Sequence, residues 1–193
     1  MRGNCLNKPS GFSLIELMVV IGIILLMTTI AAPLYRGLLK RSERKQFVSK
    51  LNQLTGLAWR NAVVTNKIHA VVFDFTKGMV RAGPINPDSK EKGDCGEPKI
   101  GGIKTGGYVR SYVKIPPSIK LRQFIIEGVD ETENRSLEKF CAWFFIVPNG
   151  ITQEVTINLL DNKDKLSAGR SRPIGLVLNP FTAEFEAFDE FQK

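Results

Sequence analysis

Between Phe12 and Tyr35 the chain carries one charge, Glu16, and the next charged residue is Arg36. As an α-helix this run of about 24 residues measures about 36 Å, enough to cross a bilayer core of about 30 Å. The rest of the 193-residue chain is long enough to bury a core of its own. The expected organisation is therefore one globular domain carried on an N-terminal transmembrane helix.

What precedes the run narrows its type. Met1 to Gly11 is polar, with Arg2 and Lys8, and ends in glycine before the apolar residues begin. A secretory signal has the opposite order, with its cleavage site after the apolar region. Ala31-Ala32-Pro33 offers such a site, but the run is long and Glu16 interrupts its start. A lipoprotein signal at Cys5 lacks a preceding apolar region. A plain signal anchor fits the hydropathy and leaves Glu16 unexplained. A carboxylate in an apolar helix costs about 2.5–3.5 kcal/mol at mid-membrane and less near the interface, so Glu16 calls for a counter-charge.

Gly11-Phe12-Ser13-Leu14-Ile15-Glu16-Leu17 resembles, almost letter for letter, the processing motif of type IV prepilins and type II secretion pseudopilins. The resemblance implies cleavage between Gly11 and Phe12 by a prepilin peptidase, and methylation of the new Phe12 amine by the same enzyme. It implies that Glu16 is the assembly carboxylate, and it places Pro33 where the family often carries a proline. The amine of a neighbouring subunit's Phe12 would then answer Glu16 and set the axial register. Such pairing contributes registry more reliably than stability. Gly22 and Pro33 are candidate bends, since proline removes a backbone donor. The divisions expected are a leader over 1–11, a transmembrane and polymerisation helix over 12–35, its amphipathic continuation over 36–66, and a periplasmic β domain over 67–193. The location implied is the bacterial inner membrane, single-pass, with incorporation into a pseudopilus. The partners implied are the peptidase, other pilins or pseudopilins through the helix, and an inner-membrane assembly platform.

Net charge is +8, and its placement matters more than its total. Arg36, Lys40, Arg41, Arg44, Lys45 and Lys50 stand against one acid, Glu43, just after the apolar run. A solvated helix face is the favoured reading of this stretch, with lipid phosphates or acids on adjacent subunits second. Phe47, Leu51, Leu54, Ala58 and Ala62 recur at helical steps, so this half of the helix presents an apolar stripe to a sheet, with Asn66-Lys67 as its stop. Beyond Lys67 the texture is β. A hairpin is expected over Ile68 to Ala82, and strands at Tyr108 to Ile115, Leu121 to Glu127, Cys141 to Val147, Thr152 to Leu160, Ile174 to Asn179 and Glu184 to Phe188. Gly83 to Gly107 reads as a long mobile loop. The fold class is α+β: a pilin-like fold with a long N-terminal helix, half transmembrane and half packed on a sheet, followed by an antiparallel β-sheet domain.

Phe145-Ile146-Val147-Pro148-Asn149-Gly150 and Ile174-Gly175-Leu176-Val177-Leu178-Asn179-Pro180 resemble the paired C-terminal strands of the GspH/FimT branch. The stretch from Phe47 to Asp74 resembles its helix-to-strand junction. Thr182-Ala183 departs from the glycine common in the family's last turn. The function this implies is a minor pseudopilin of a type II secretion system, a structural subunit that helps export folded proteins. The alternative is a minor type IV pilin of the FimT/FimU kind, in pilus assembly or DNA uptake. Lys163, Lys165, Arg170 and Arg172 are the one basic stretch of the C-terminal part suited to phosphates; a solvated loop fits them equally.

No enzyme is expected. His69 is the only histidine and falls in a strand. Asp161-Asn162-Lys163-Asp164 lacks the glycine and glutamate of a calcium loop and reads as a turn. No zinc pattern exists, and neither metal nor cofactor is implied. Cys95 and Cys141 are candidates for one disulfide; free thiols fit the sequence as well.

Overall fold

The computed structural model describes residues 13–85, 91–93, 96–103, 112–133, 135–137, 140–166 and 169–193, with residues 30–42 described as backbone only. The chain divides into two compact units, Met1–Lys40 and Arg41–Lys193.

The first unit holds the start of α1, Leu14–Thr65. Ser13 caps it: its carbonyl accepts from the N–H groups of Glu16 at 3.0 Å and Leu17 at 3.2 Å. Every side chain from Ser13 to Thr29 is exposed. A helix apolar on all sides has no preferred face to bury and suits a nonpolar surrounding. The hydroxyls of Thr28 and Thr29 donate to the carbonyls of Leu25 and Leu26 at 2.9 and 2.7 Å, so they are satisfied without water. Among the described residues no helix is long and apolar enough to cross a membrane. The described side chains stop at Thr29, so that statement takes in only part of the run to Tyr35. The helical backbone continues through Gly22 and Pro33, the two candidate bends; Pro33's side chain lies outside the described residues.

In the second unit the expected stripe is the buried face of α1: Phe47, Leu51, Leu54, Ala58 and Ala62 are all buried. The helix stops as its sequence requires. Asn66 adopts φ 52°, and the Lys67 N–H donates to the Ala62 carbonyl at 3.3 Å. That bond closes a Schellman-type end, in which asparagine tolerates the left-handed backbone.

Two antiparallel sheets follow. In chain order the strands are β1 His69–Asp74, β2 Met79–Pro84, β3 Tyr112–Lys114, β4 Ile119–Ile126, β5 Val129–Asp130, β6 Cys141–Ile146, β7 Val155–Lys165, β8 Ser171–Leu178 and β9 Phe185–Phe188. One sheet has the order β3-β2-β1-β6, the other β5-β4-β7-β8-β9. The inner faces of both contribute to one core with the α1 stripe, from Val71 and Phe73 through Phe124 and Phe144 to Ile157, Leu176 and Phe185. Trp59 packs partly buried against it, and its indole N–H donates to the Gly150 carbonyl at 2.6 Å.

Two expectations are overturned. Asp161 to Lys165 is not a turn but the far end of β7, which runs past Leu160 with a register slip against β8. Asp161 is buried there, and its carboxylate accepts from the Lys163 N–H at 2.9 Å. The described part of the Gly83 to Gly107 loop is folded onto the first sheet rather than free. Glu97 is buried and ion-paired to Arg81 at 2.8 Å, on the sheet face opposite the core. Gly83 approaches Gly101 so closely that a Cβ would lie 2.0 Å from the Gly101 carbonyl oxygen. Of the strand expected over Tyr108 to Ile115, only Tyr112–Lys114 is found; residues 108–111 lie outside the described set.

The β4–β5 hairpin turns on Glu127 and Gly128 at φ 52° and 79°. A two-residue turn with both residues left-handed favours Asn-Gly, and an exposed glutamate gains nothing from that backbone. Glu127→Asn is expected to raise stability by about 0.5–1 kcal/mol, read as a higher urea midpoint at unchanged m value. A lower midpoint would refute this.

Candidate functional site

The expected processing residues divide between two states of description. Gly11 and Phe12 lie outside the described residues. Glu16 is exposed on the first turn of α1, three residues after the cap residue Ser13. Ser-x-x-Glu is the spacing of a capping box, and a carboxylate there also meets the positive end of the helix dipole. Its position gives Glu16 a favourable place in the field of its own helix, apart from the intersubunit role the motif implies.

The C-terminal basic stretch is not a uniform free patch. Lys163 pairs with Glu43 of α1, its Nζ at 2.7 and 3.0 Å from the two carboxylate oxygens. Arg172 sits 2.9 Å from Asp164 and 3.7 Å from Asp189, and Asp189 in turn lies 2.7 Å from Arg44 of α1. Lys163 and Arg172 therefore help join the β7–β8 hairpin and the C-terminal segment to the helix. Lys165 and Arg170 are exposed.

Cys141 is buried and disulfide-bonded. Its expected partner Cys95 lies outside the described residues. Among the described residues no group of histidine, cysteine and carboxylate side chains is placed to hold a metal ion.

Side-chain amides close several main-chain edges. The Asn52 amide donates to the Phe185 carbonyl at 3.0 Å, and its carbonyl accepts from the Phe185 N–H at 2.8 Å, as a neighbouring strand would. Asn158 does the same for Gln192, donating at 2.7 Å and accepting at 2.9 Å. The C-terminal segment thereby crosses β8 at Gly175, where a Cβ would lie 2.4 Å from the Glu190 carbonyl oxygen. The sequence carries one faint trace of these amides: Asn158 is a polar residue set between Ile157 and Leu159-Leu160, whereas Asn52 stands beside the polar Lys50 and Gln53.

His69 is buried, and its Nδ1 donates to the Lys67 carbonyl at 3.0 Å. Burial holds its pKa below the ordinary 6.5, and nearby Lys67 adds to that, against the opposing effect of the hydrogen bond. Above pH 6.5 the ring is neutral in both folded and unfolded chains. As pH falls below that value the unfolded chain takes up the proton first, so stability drops until the folded ring is itself protonated. We expect the urea midpoint to fall between about pH 7 and pH 5, and to fall less in His69→Asn, which keeps a donor for Lys67. Equal slopes would remove His69 from the pH dependence.

The model of the prokaryotic N-terminal methylation motif matches residues 6–32. The chain carries a type IV prepilin-like N-terminus. Among solved structures, it is similar to the minor pseudopilin EpsH from the type 2 secretion system of Vibrio cholerae, over 75% of this chain and 95% of that one, with 9% identity and a TM-score of 0.47. No residue role is transferred from that likeness. No curated protein matches the chain.

Proposed function

We propose that this chain is a minor pseudopilin of a type II secretion system, similar to the GspH class, with a mechanical rather than an enzymatic role. The observation that carries the proposal is the methylation motif over residues 6–32, set on a helix whose apolar side chains face outward on every side. A prepilin peptidase cuts after Gly11 and methylates Phe12. The helix, anchored in the inner membrane, bundles with those of other pilin-like subunits as an assembly platform adds them. The β domain faces the periplasm, and Cys95 is the proposed disulfide partner of Cys141. The minor-pilin alternative, with a DNA-binding role, draws on Lys163, Lys165, Arg170 and Arg172. Two of these four cations are engaged in ion pairs, which favours the secretion reading.

The test of processing is N-terminal sequencing and intact mass of the full chain extracted from native membranes. The expected start is Phe12 with one added methyl group, and a chain beginning at Met1 would sink the proposal. Salt-dependent DNA binding by the same material separates the alternatives. Affinity lost steeply with salt, and weakened by neutralising Lys165 and Arg170, would favour the pilin.

A further inference from the structure

A groove of about 1080 Å³ lies between α1 and the β8–β9 edge of the second unit. We propose that it receives an extended, acidic peptide segment of a partner protein, added beside β9 as a further strand.

The main chain supplies the first argument. β9 is the outer strand of its sheet, paired only with β8. Phe185 directs its N–H and carbonyl away from β8, since Asn52 takes both. Strand geometry repeats every two residues, so Ala187 directs its own N–H and carbonyl the same way, into the groove that it lines. Neither group has a hydrogen-bond partner among the described residues. Asn52 closes the edge on one side of Ala187, and Asp189, held by Arg44, stands on the other. The open stretch is a short piece of unpaired sheet edge, which an extended peptide can satisfy.

The second argument is Gly56. It lines the groove from within the second half of α1, where glycine is the least favourable helix residue after proline. Nothing lies within 4 Å of the position its Cβ would take. No contact within the chain requires its small size; close approach of another backbone does.

Charge and polarity choose the occupant. Val48, Leu57, Ile174 and Phe188 supply apolar lining. The helix side carries Lys45 and Arg60, both exposed and without an ion pair among the described residues, facing Glu184 as the one acid left after Arg44 and Asp189 pair. An apolar floor and amide-pairing edge suit a peptide main chain better than a nucleic-acid backbone, and the residual positive rim favours glutamate or aspartate on the peptide. The inference uses the second unit alone, so its failure would leave the prepilin-like reading untouched.

The test uses the full chain in detergent micelles with a labelled peptide of alternating valine and glutamate, its lysine counterpart, and a short DNA duplex. The acidic peptide is expected to slow hydrogen exchange of the Ala187 amide by about tenfold or more, and to bind more tightly than the lysine peptide. Gly56→Phe, which fills the notch, is expected to weaken binding by about tenfold at an unfolding midpoint no lower than that of the parent chain. Ala187→Pro, which removes the outward N–H from an edge strand, provides the same test should the first variant fail to fold. Arg60→Glu is expected to shift preference toward the lysine peptide. No protection of Ala187 at millimolar acidic peptide, equal binding of the two peptides, or protection by the duplex instead would each overturn the proposal.

Discussion

Phe73→Ala is expected to destabilise the second unit by about 3–5 kcal/mol, the range for truncating a buried phenylalanine. Phe73 is 1% exposed on β1. Its ring meets Phe124 edge-on at 5.3 Å, Phe185 edge-on at 6.3 Å, Phe144 at 6.3 Å and Phe75 at 6.2 Å. Phe144 and Phe75 belong to the first sheet's side of the core, while Phe124 and Phe185 come from β4 and β9 of the second. Deleting the ring leaves a void between two rigid sheets, which cannot close it without breaking register elsewhere. A loss of this size is a large share of the roughly 5–15 kcal/mol that holds a typical domain together. The measurement is urea denaturation of the full chain followed by tryptophan fluorescence, with Phe181→Ala as the control. Phe181 is 69% exposed, so its truncation is expected to move stability by about 0.5 kcal/mol or less. Equal midpoints for the two variants would mean that Phe73 does not join the sheets.

The parts of this fold that were legible in the sequence are those set by local rules. The stripe from Phe47 to Ala62 follows helical periodicity, and the stop at Asn66 follows from a backbone that asparagine accepts. The hairpin through Gly78, at φ 62°, and the apolar strands at Cys141 and Ile174 likewise obey patterns a few residues long. What was missed depends on residues far apart in the chain. Asp-Asn-Lys-Asp at 161–164 has the composition of a turn. It lies within β7 as a bulge, where Asp161 accepts from the Lys163 and Asp164 N–H groups, the ladder with β8 slips between Asp161 and Lys165, and Glu43, far back on α1, holds Lys163. The Gly83 to Gly107 segment has a loop's composition and no apolar periodicity, yet Arg81 pairs with the buried Glu97 and fixes its described part. Gly56 was invisible for the opposite reason, since its significance lies in what is missing around it.

Glu16→Ala is expected to reduce incorporation of the chain into filaments by about tenfold or more, and the structure makes the companion variant Glu16→Gln the sharper experiment. Two physical roles are proposed for this carboxylate. As the residue three after Ser13 it completes capping-box spacing at the start of α1. Losing the favourable charge near the helix N-terminus costs about 0.3–1 kcal/mol, less than one factor of ten. In the proposed pairing with a neighbour's Phe12 amine in an apolar bundle, its removal would strand a buried charge, at about 3–5 kcal/mol. Glutamine serves a capping box as glutamate does but carries no charge. If helix capping is what matters, Glu16→Gln assembles normally while Glu16→Ala is mildly impaired. If charge pairing sets the register, both variants fail alike, and they fail although each remains membrane-associated and cleaved after Gly11. The readout is co-isolation of the full chain with partner subunits from crosslinked native membranes. Normal recovery of Glu16→Ala would remove the intersubunit role of this carboxylate, whatever its part in leader processing.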